Sequence, residues 1–375
     1  MELIRTFHPV GQGGFYSEKF YENNNMVFSV IYDCGSFSLD TLKNEIDTTF
    51  KNSNYKINIL FISHFHQDHI NGVKYLIKEC KVDYIFIPEI DEDEKILILS
   101  SYSIENREEN SFIYKFLIDS QQAIKELNKY TKVIFIKPLS KKNLKEKNLE
   151  FNNQNIIFPN LEKEKIFINS DTKLIFKYND KPIWKYIFNN FKDNKLSAKI
   201  NEFKKKYSIN LPLNSEIYNT FIKKDEYKKL FINKNIYSLI LYSAPIDKNS
   251  YFNKSTIHYD MYEIFFSEKE YLHKTGCLYT GDFNLNNTFN FIEDILHKNK
   301  ISLFQIPHHG SKNSWNNKHK KYLKNKFLFI SAGKKNIYSH PNKEVLIDIL
   351  STYCCYLRVI SEDKESKIEM KINIF

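Results

Sequence analysis

Ser63-His64-Phe65-His66-Gln67-Asp68-His69 is the stretch from which the rest of this 375-residue chain can be read. The run Ile57–Ser63 leads into it with apolar and β-branched residues, the composition of a buried strand. Val73, Leu76 and Ile77 follow it at helical spacing. Side chains two apart on extended chain point to the same side, so His64 and His66 should face one point. The turn after them carries Asp68 and His69 to a second, adjacent point. Three imidazoles and a carboxylate this close suit a borderline divalent ion such as zinc, or manganese and iron.

Further ligand-type residues stand at other strand ends. Asp282 follows the apolar run Gly276–Thr280 and a glycine, Gly281, that allows a tight turn. A carboxylate there can span two cations and offset their repulsion. His308 and His309 follow Ser302–Ile306. Neighbours on extended chain point opposite ways, so His308 is the expected metal ligand. His309 is then expected beside the ligands or against substrate, as a catalytic candidate. His340 lies just before Pro341 and the helix-start residue Asn342; catalysis and simple packing are both open to it.

These motifs resemble the metallo-β-lactamase fold. H-x-H-x-D-H after a hydrophobic strand is that family's hallmark. Gly11-Gln12-Gly13-Gly14 and Tyr32-Asp33-Cys34-Gly35 are similar to its opening strands, where D-x-G supports the metal loop. Thr280-Gly281-Asp282 matches its later G-D, and Pro307-His308-His309-Gly310-Ser311 its H-H-G-S element. Ser331-Ala332-Gly333 through Asn336, Tyr338, His340 and Pro341 resembles an S-x-G…N-x-Y-x-H-P block. Together they resemble the ComEC-like branch, over residues 1–90 and 236–375.

The resemblance implies an α/β fold, an αββα metallo-β-lactamase sandwich. It implies two divalent metal ions, zinc or manganese, at His64, His66, Asp68, His69, Asp282 and His308. Asp68 would also orient or deprotonate the nucleophile, and His340 would serve the leaving oxygen or a phosphate. Ser311, Asn336 and Tyr338 would line the substrate. Many two-metal relatives supply a third histidine between the cluster and G-D. Here that interval holds His258 and His273, neither at a clear strand end. The first ion is therefore expected to rest on His64, His66, Asp282 and water, and to exchange readily.

Composition bounds the rest. At about 150 residues per domain the length allows two or three domains. Hydrophobic residues make up 42%, enough for a sizeable core. No apolar run reaches the ~18 residues of a membrane helix, so no membrane partner is expected. The five cysteines form no C-x-x-C pair, and a reducing cytoplasm is the default. The net charge is +10, with 55 Lys+Arg against 45 Asp+Glu. Residues 141–235 hold 21 lysines and 11 acidic residues, so the excess lies there. Residues 91–235 read as a partly helical, basic insertion on a core of 1–90 and 236–375.

The expected activity is that of a nuclease or phosphodiesterase on DNA or RNA, with phage defence or DNA processing as context. Lys204, Lys205 and Lys206 are candidates to grip the polyanion, and the insertion could also dock a protein. Two alternatives stay open. One is hydrolysis of a small ester or cyclic nucleotide; the other is a metal-binding partner subunit, against which the complete H-x-H-x-D-H with Asp282 and His308 argues.

Overall fold

Largely apolar runs set strands such as Ile57–Phe61 and Gly276–Tyr279, and alternation of apolar and polar residues sets strands such as Ile368–Asn373. The computed structural model describes residues 1–95, 98, 112–139, 148–152, 155–156, 165–170, 172–191, 198, 201–202, 204–206, 208, 238–246, 255–259, 262–265, 275–286, 301–324, 326–352 and 355–374. In chain order the strands begin with β1 (Glu2–Phe7), β2 (Gly13–Glu22), β3 (Asn25–Ser36), β4 (Ile57–Phe61), β5 (Val82–Pro88) and β6 (Lys132–Lys137). Next come β7 (Asn148–Asn152), β8 (Asn155–Ile156), β9 (Ile166–Asn169), β10 (Lys173–Tyr178), β11 (Lys181–Asn190) and β12 (Leu239–Pro245). The last are β13 (Ser255–Tyr259), β14 (Tyr262–Phe265), β15 (Gly276–Tyr279), β16 (Ile301–Gln305), β17 (Phe327–Ser331), β18 (Tyr356–Ile360) and β19 (Ile368–Asn373). The helices are α1 (Leu39–Ile46), α2 (Gln67–Ile70), α3 (Val73–Glu79), α4 (Phe112–Ile118), α5 (Ser120–Leu127) and α6 (Lys343–Leu350).

The strands form two large mixed sheets. One has ten strands in the order β14-β13-β19-β1-β2-β3-β4-β5-β6-β9, the other nine in the order β18-β17-β16-β15-β12-β11-β10-β7-β8. A single apolar layer joins them. Phe7, Tyr16, Phe61 and Phe86 of the first sheet pack with Trp184, Tyr186, Tyr279 and Phe329 of the second. On the other face of the first sheet, Ile31, Leu60 and Ile85 pack with residues of α1, α3, α4 and α5. Beyond the second sheet, Leu278, Phe304 and Leu328 pack with Val345 and Ile349 of α6. This arrangement is compatible with the expected α/β sandwich.

Parallel pairing decides where the site forms. β3, β4, β5 and β6 run parallel in the first sheet, and β15, β16, β17 and β18 in the second. The loops leaving the carboxyl ends of parallel strands gather at one edge, where ligands of α/β proteins bind. His64–His69 leave β4, Asp282 leaves β15, His308 and His309 leave β16, and His340 leaves β17.

The boundaries at 90 and 235 do not divide the sheets. β6 and β9 extend the first sheet, and β7, β8, β10 and β11 belong to the second, with β11 hydrogen-bonded between β10 and β12. Trp184, Tyr186 and Phe188 alternate inward along β11 and join the shared layer. The described residues between 132 and 190 thus supply strands to both sheets. Among the described residues, Lys132, Lys137 and Lys181 of these strands are exposed, whereas Asn189 and Asn190 are buried. Residues 112–127 form two helices, because Asp119 caps α5 by accepting from the Gln122 N–H. Leu196, Ile200, Phe203 and Tyr207 fall at helical spacing in the sequence, and all four lie outside the described residues.

Candidate metal centre

The first element of the site is a bulge. Opposite Phe15 and Tyr16, β3 carries one residue more than β2, and that residue is Asp33, at φ 61°. A bulge re-aims a side chain, and here it sends the Asp33 carboxylate under the histidine loop. Asp33 accepts from the Ser63 N–H at 2.6 Å, the Ser63 hydroxyl at 2.8 Å and His69 Nδ1–H at 2.8 Å. Ser63 Oγ, its proton spent on Asp33, accepts from His64 Nδ1–H at 2.8 Å. Both rings turn Nε2 toward Asp282, the nitrogen that a metal ion would take. The cradle tolerates no side chain at Gly35, where a Cβ would lie 2.4 Å from the Asp68 and His69 backbone.

Asp282 stands between two groups of donors. Its Oδ2 lies 3.5 Å from His64 Nε2, 3.8 Å from His66 Nδ1 and 3.7 Å from His308 Nε2. Its Oδ1 lies 3.2 Å from His69 Nε2 and 3.5 Å from His309 Nε2. His64, His66 and Asp282 make one cluster able to hold a metal ion; Asp68, His69 and His309 make the other. Gly281, at φ 52°, lets the chain pass Ser63 and Ser238, where a Cβ would come within 2.6 Å.

His309, expected beside the ligands, therefore takes a donor position with Asp68, whose Oδ2 is 3.2 Å away. The expectation rested on extended chain. Instead the backbone turns left-handed at both His308 (φ 50°) and His309 (φ 52°), and the two rings reach different oxygens of Asp282. His309 Nδ1–H donates to the Ser331 carbonyl at 2.7 Å, freeing Nε2. His308 Nδ1 meets Ser314 Oγ at 2.7 Å.

Electrostatics match donor chemistry. Burial, then His69 and His66, bring His64 down to about 4. Burial likewise brings His308 to about 4, despite the attraction of Asp282. Burial pushes the Asp282 and Asp68 carboxyls up, yet the facing imidazoles hold both far below the usual carboxylate range. His69 and His309 move up against burial, drawn chiefly by Asp282. Both carboxylates are ionised at neutral pH, and two of the imidazoles are neutral.

His340 lies at the rim, half-buried, its ring 5.4 Å from His308 and 6.2 Å from His309. Asn336 does not face outward as a substrate residue. Its amide donates to the Gly333 and His340 carbonyls and its Oδ1 accepts from the His340 N–H at 2.8 Å. It supports the loop, because its polar atoms match the backbone beside it. Ser311 is buried, and its N–H closes the His308 turn at 2.8 Å. Tyr338 is exposed and stacks on His340. Lys204 is paired with Asp93, while Lys205 and Lys206 are exposed.

Sequence reading missed Gln305. Its Oε1 accepts from the N–H groups of Thr280 and Gly281 at 2.8 and 3.1 Å, and its Nε2 donates to the Tyr16 hydroxyl at 3.1 Å. Tyr16 in turn meets Ser331 Oγ at 2.8 Å. One network thus fixes the Asp282 turn and the strand end that orients His309. Its members lie on separate strands, and no local motif marks them.

Comparison with known proteins adds two findings. A stretch of 67 residues is 40% identical to ribonuclease J of Mycoplasma genitalium, covering 16% of this chain and 12% of that protein. A stretch of 68 residues is 41% identical to ribonuclease J of Mycoplasma pneumoniae, with the same coverage. The family model described as Anti-Pycsar protein Apyc1 matches residues 5–208. That span holds the histidine loop and crosses the boundary at 90. It covers more than half of the chain, and the protein belongs to the anti-Pycsar protein Apyc1 family.

Proposed function

We propose that the protein is a metal-dependent phosphodiesterase of the metallo-β-lactamase superfamily, acting on nucleic acid through two divalent ions, zinc or manganese. The observation that carries this is a set of buried atoms without hydrogen-bond partners: His64 Nε2, His69 Nε2, His309 Nε2 and Asp282 Oδ1. Each such atom costs about 1–3 kcal/mol when left unpaired. Four of them converge on two points, and a pair of cations would satisfy them. His64, His66, His308 and Asp282 would hold one ion, so that His308 takes the place of the third histidine. Asp68, His69, His309 and Asp282 would hold the other.

When bound, such ions lower the pKa of water to ~7 and offset negative charge on a phosphoryl oxygen. The chain supplies orientation. Asp68 holds a negative oxygen beside the donors and fixes the attacking water. His340, lowered by burial and His309, is neutral near pH 7 and hydrogen-bonds the phosphate or its leaving oxygen. Asp33, Ser63 and the Ser331 carbonyl keep the donor rings in one tautomer.

The ribonuclease J stretches support a polynucleotide substrate. The family's name supports a role opposing Pycsar. The H-H-G-S and N-x-Y-x-H-P elements support a place near the ComEC-like branch. A second reading, a small phosphodiester such as a cyclic nucleotide, is favoured by the pairing of Lys204 with Asp93, which weakens the basic run as a polymer grip.

Purified protein should be incubated with plasmid, single-stranded DNA, RNA and cyclic mononucleotides, with added manganese or zinc, beside a His64→Ala, His66→Ala variant. Metal-dependent cleavage lost in the variant supports the proposal. Turnover of cyclic nucleotides alone selects the second reading. No turnover of any of them overturns both.

A further inference from the structure

The geometry points to a nucleobase-stacking platform at the rim of the centre, built by Phe37 and Tyr338. This deepens the phosphodiesterase reading and rests on it for the position of the phosphate. Four rings stand in a row leading outward from the donors. His309 and His340 are 6.2 Å apart at 24°, His340 and Tyr338 5.8 Å at 27°, Tyr338 and Phe37 6.2 Å at 30°. The inner end is buried. The outer end is not: Tyr338 is 51% exposed and Phe37 49%.

Both outer residues are held in place by the elements that build the site. Phe37 follows β3, two residues after Gly35, and its N–H donates to the Gln12 carbonyl at 2.9 Å. Tyr338 follows β17, in the loop that Asn336 ties to both His340 backbone groups. One aromatic thus comes from each sheet, and the two meet beside the donors. Phe37 and Tyr338 adjoin, so they form a contiguous exposed apolar patch, and such patches mark binding sites.

A phosphate at the donor atoms would leave its sugar and base to extend along this row. Stacking accepts any base, because every base has a π-face. The platform therefore contributes affinity for nucleotides with little discrimination among bases. The same chemistry would serve the base of a cyclic mononucleotide or of a single strand.

The test uses 2-aminopurine, whose fluorescence falls when it stacks, in a cyclic mononucleotide and in a single-stranded oligonucleotide. Wild type should quench at least one, and whichever is quenched names the source. Phe37→Ala and Tyr338→Ala should each weaken binding about tenfold, while Phe37→Tyr and Tyr338→Phe retain it. In turnover, the alanine variants should raise KM about tenfold for a dinucleotide and leave an abasic dinucleotide unchanged. Unchanged affinity in both alanine variants, or equal losses on the abasic substrate, would overturn the platform. If wild type cleaves nothing yet quenches, and the alanine variants do not, the platform stands and the phosphodiesterase reading falls. Absence of both quenching and cleavage removes both.

Discussion

Two buried polar clusters lie in this fold, one between the sheets and one at their edge, and they treat hydrogen bonds in opposite ways. Between the sheets, Arg5 donates to Glu18 at 2.7 Å and to the Thr275 carbonyl at 2.9 Å. The Glu18 carboxylate also accepts from Tyr186 at 2.8 Å, Tyr279 at 2.9 Å and Ser243 at 2.7 Å. Trp184 Nε1–H is spent on Ser243 Oγ at 2.8 Å. At the edge, three imidazole nitrogens and Asp282 Oδ1 are left over. Burial alone does not separate structure from function here. What separates them is whether the polar groups close on one another or stay open to something else.

The comparison breaks most visibly at Glu18. Its removal leaves Arg5 buried without its counter-charge, and breaking such a pair costs about 3–5 kcal/mol. Glu18→Ala should lose that much stability by denaturant unfolding, or fail to fold. An unchanged midpoint would mean the inter-sheet cluster is no more structural than the edge.

A third buried pair lies between these extremes, closed by hydrogen bonds but holding one titratable imidazole neutral. His8 Nδ1–H donates to Glu45 at 2.9 Å, and Nε2 accepts from Ser17 at 2.8 Å. Burial lowers His8 from 6.5 to about 4, with the Glu45 hydrogen bond opposing. Below pH 6.5 the unfolded chain takes up a proton that the folded chain refuses. The stabilisation is full above pH 6.5 and is lost as pH falls to about 4, a loss of ~3 kcal/mol. His8→Gln should flatten that part of the pH–stability curve; equal slopes in both proteins would refute the assignment.

The open cluster should gain stability from an ion where the closed ones cannot. Manganese or zinc at a hundred times its dissociation constant should add about 2.7 kcal/mol, read as a rise in the denaturation midpoint reversed by chelator. Asp282→Ala should abolish the rise. A smaller effect tests the supports: Asp33→Asn should weaken ion binding about 10–100-fold, measured by chelator competition, because it loosens the rings of both His69 and His64.

Much of this contrast was legible in the sequence at the edge and little of it between the sheets. H-x-H-x-D-H, Asp282 and the H-H-G-S element all sit just past apolar runs, so a strand-end reading gathers them. The division between His308 and His309 was not legible, because it depends on left-handed φ at both residues. Arg5, Glu18, Ser243 and Tyr279 come from four strands far apart in sequence, and no motif announces their meeting. Between them lies a signal that was present but masked. Trp184, Tyr186 and Phe188 follow the period of a strand, but lysine and asparagine around them read as an insertion.

The smallest expected effect concerns the basic run, and it bears on which substrate the open cluster serves. Each lysine that neutralises a phosphate of a single strand contributes about 0.7 to the slope of log affinity against log salt. Lys205 is exposed, so Lys205→Gln should reduce the slope by about 0.7. Adding Lys204→Gln should change it little further, since that ammonium is already neutralised by Asp93. A further reduction of about 0.7 on adding it would show that Asp93 releases Lys204 when a polymer binds. An unchanged slope would assign the charge to composition alone and move the substrate toward a small phosphodiester, which the donors and the aromatic row can hold without help from the lysines.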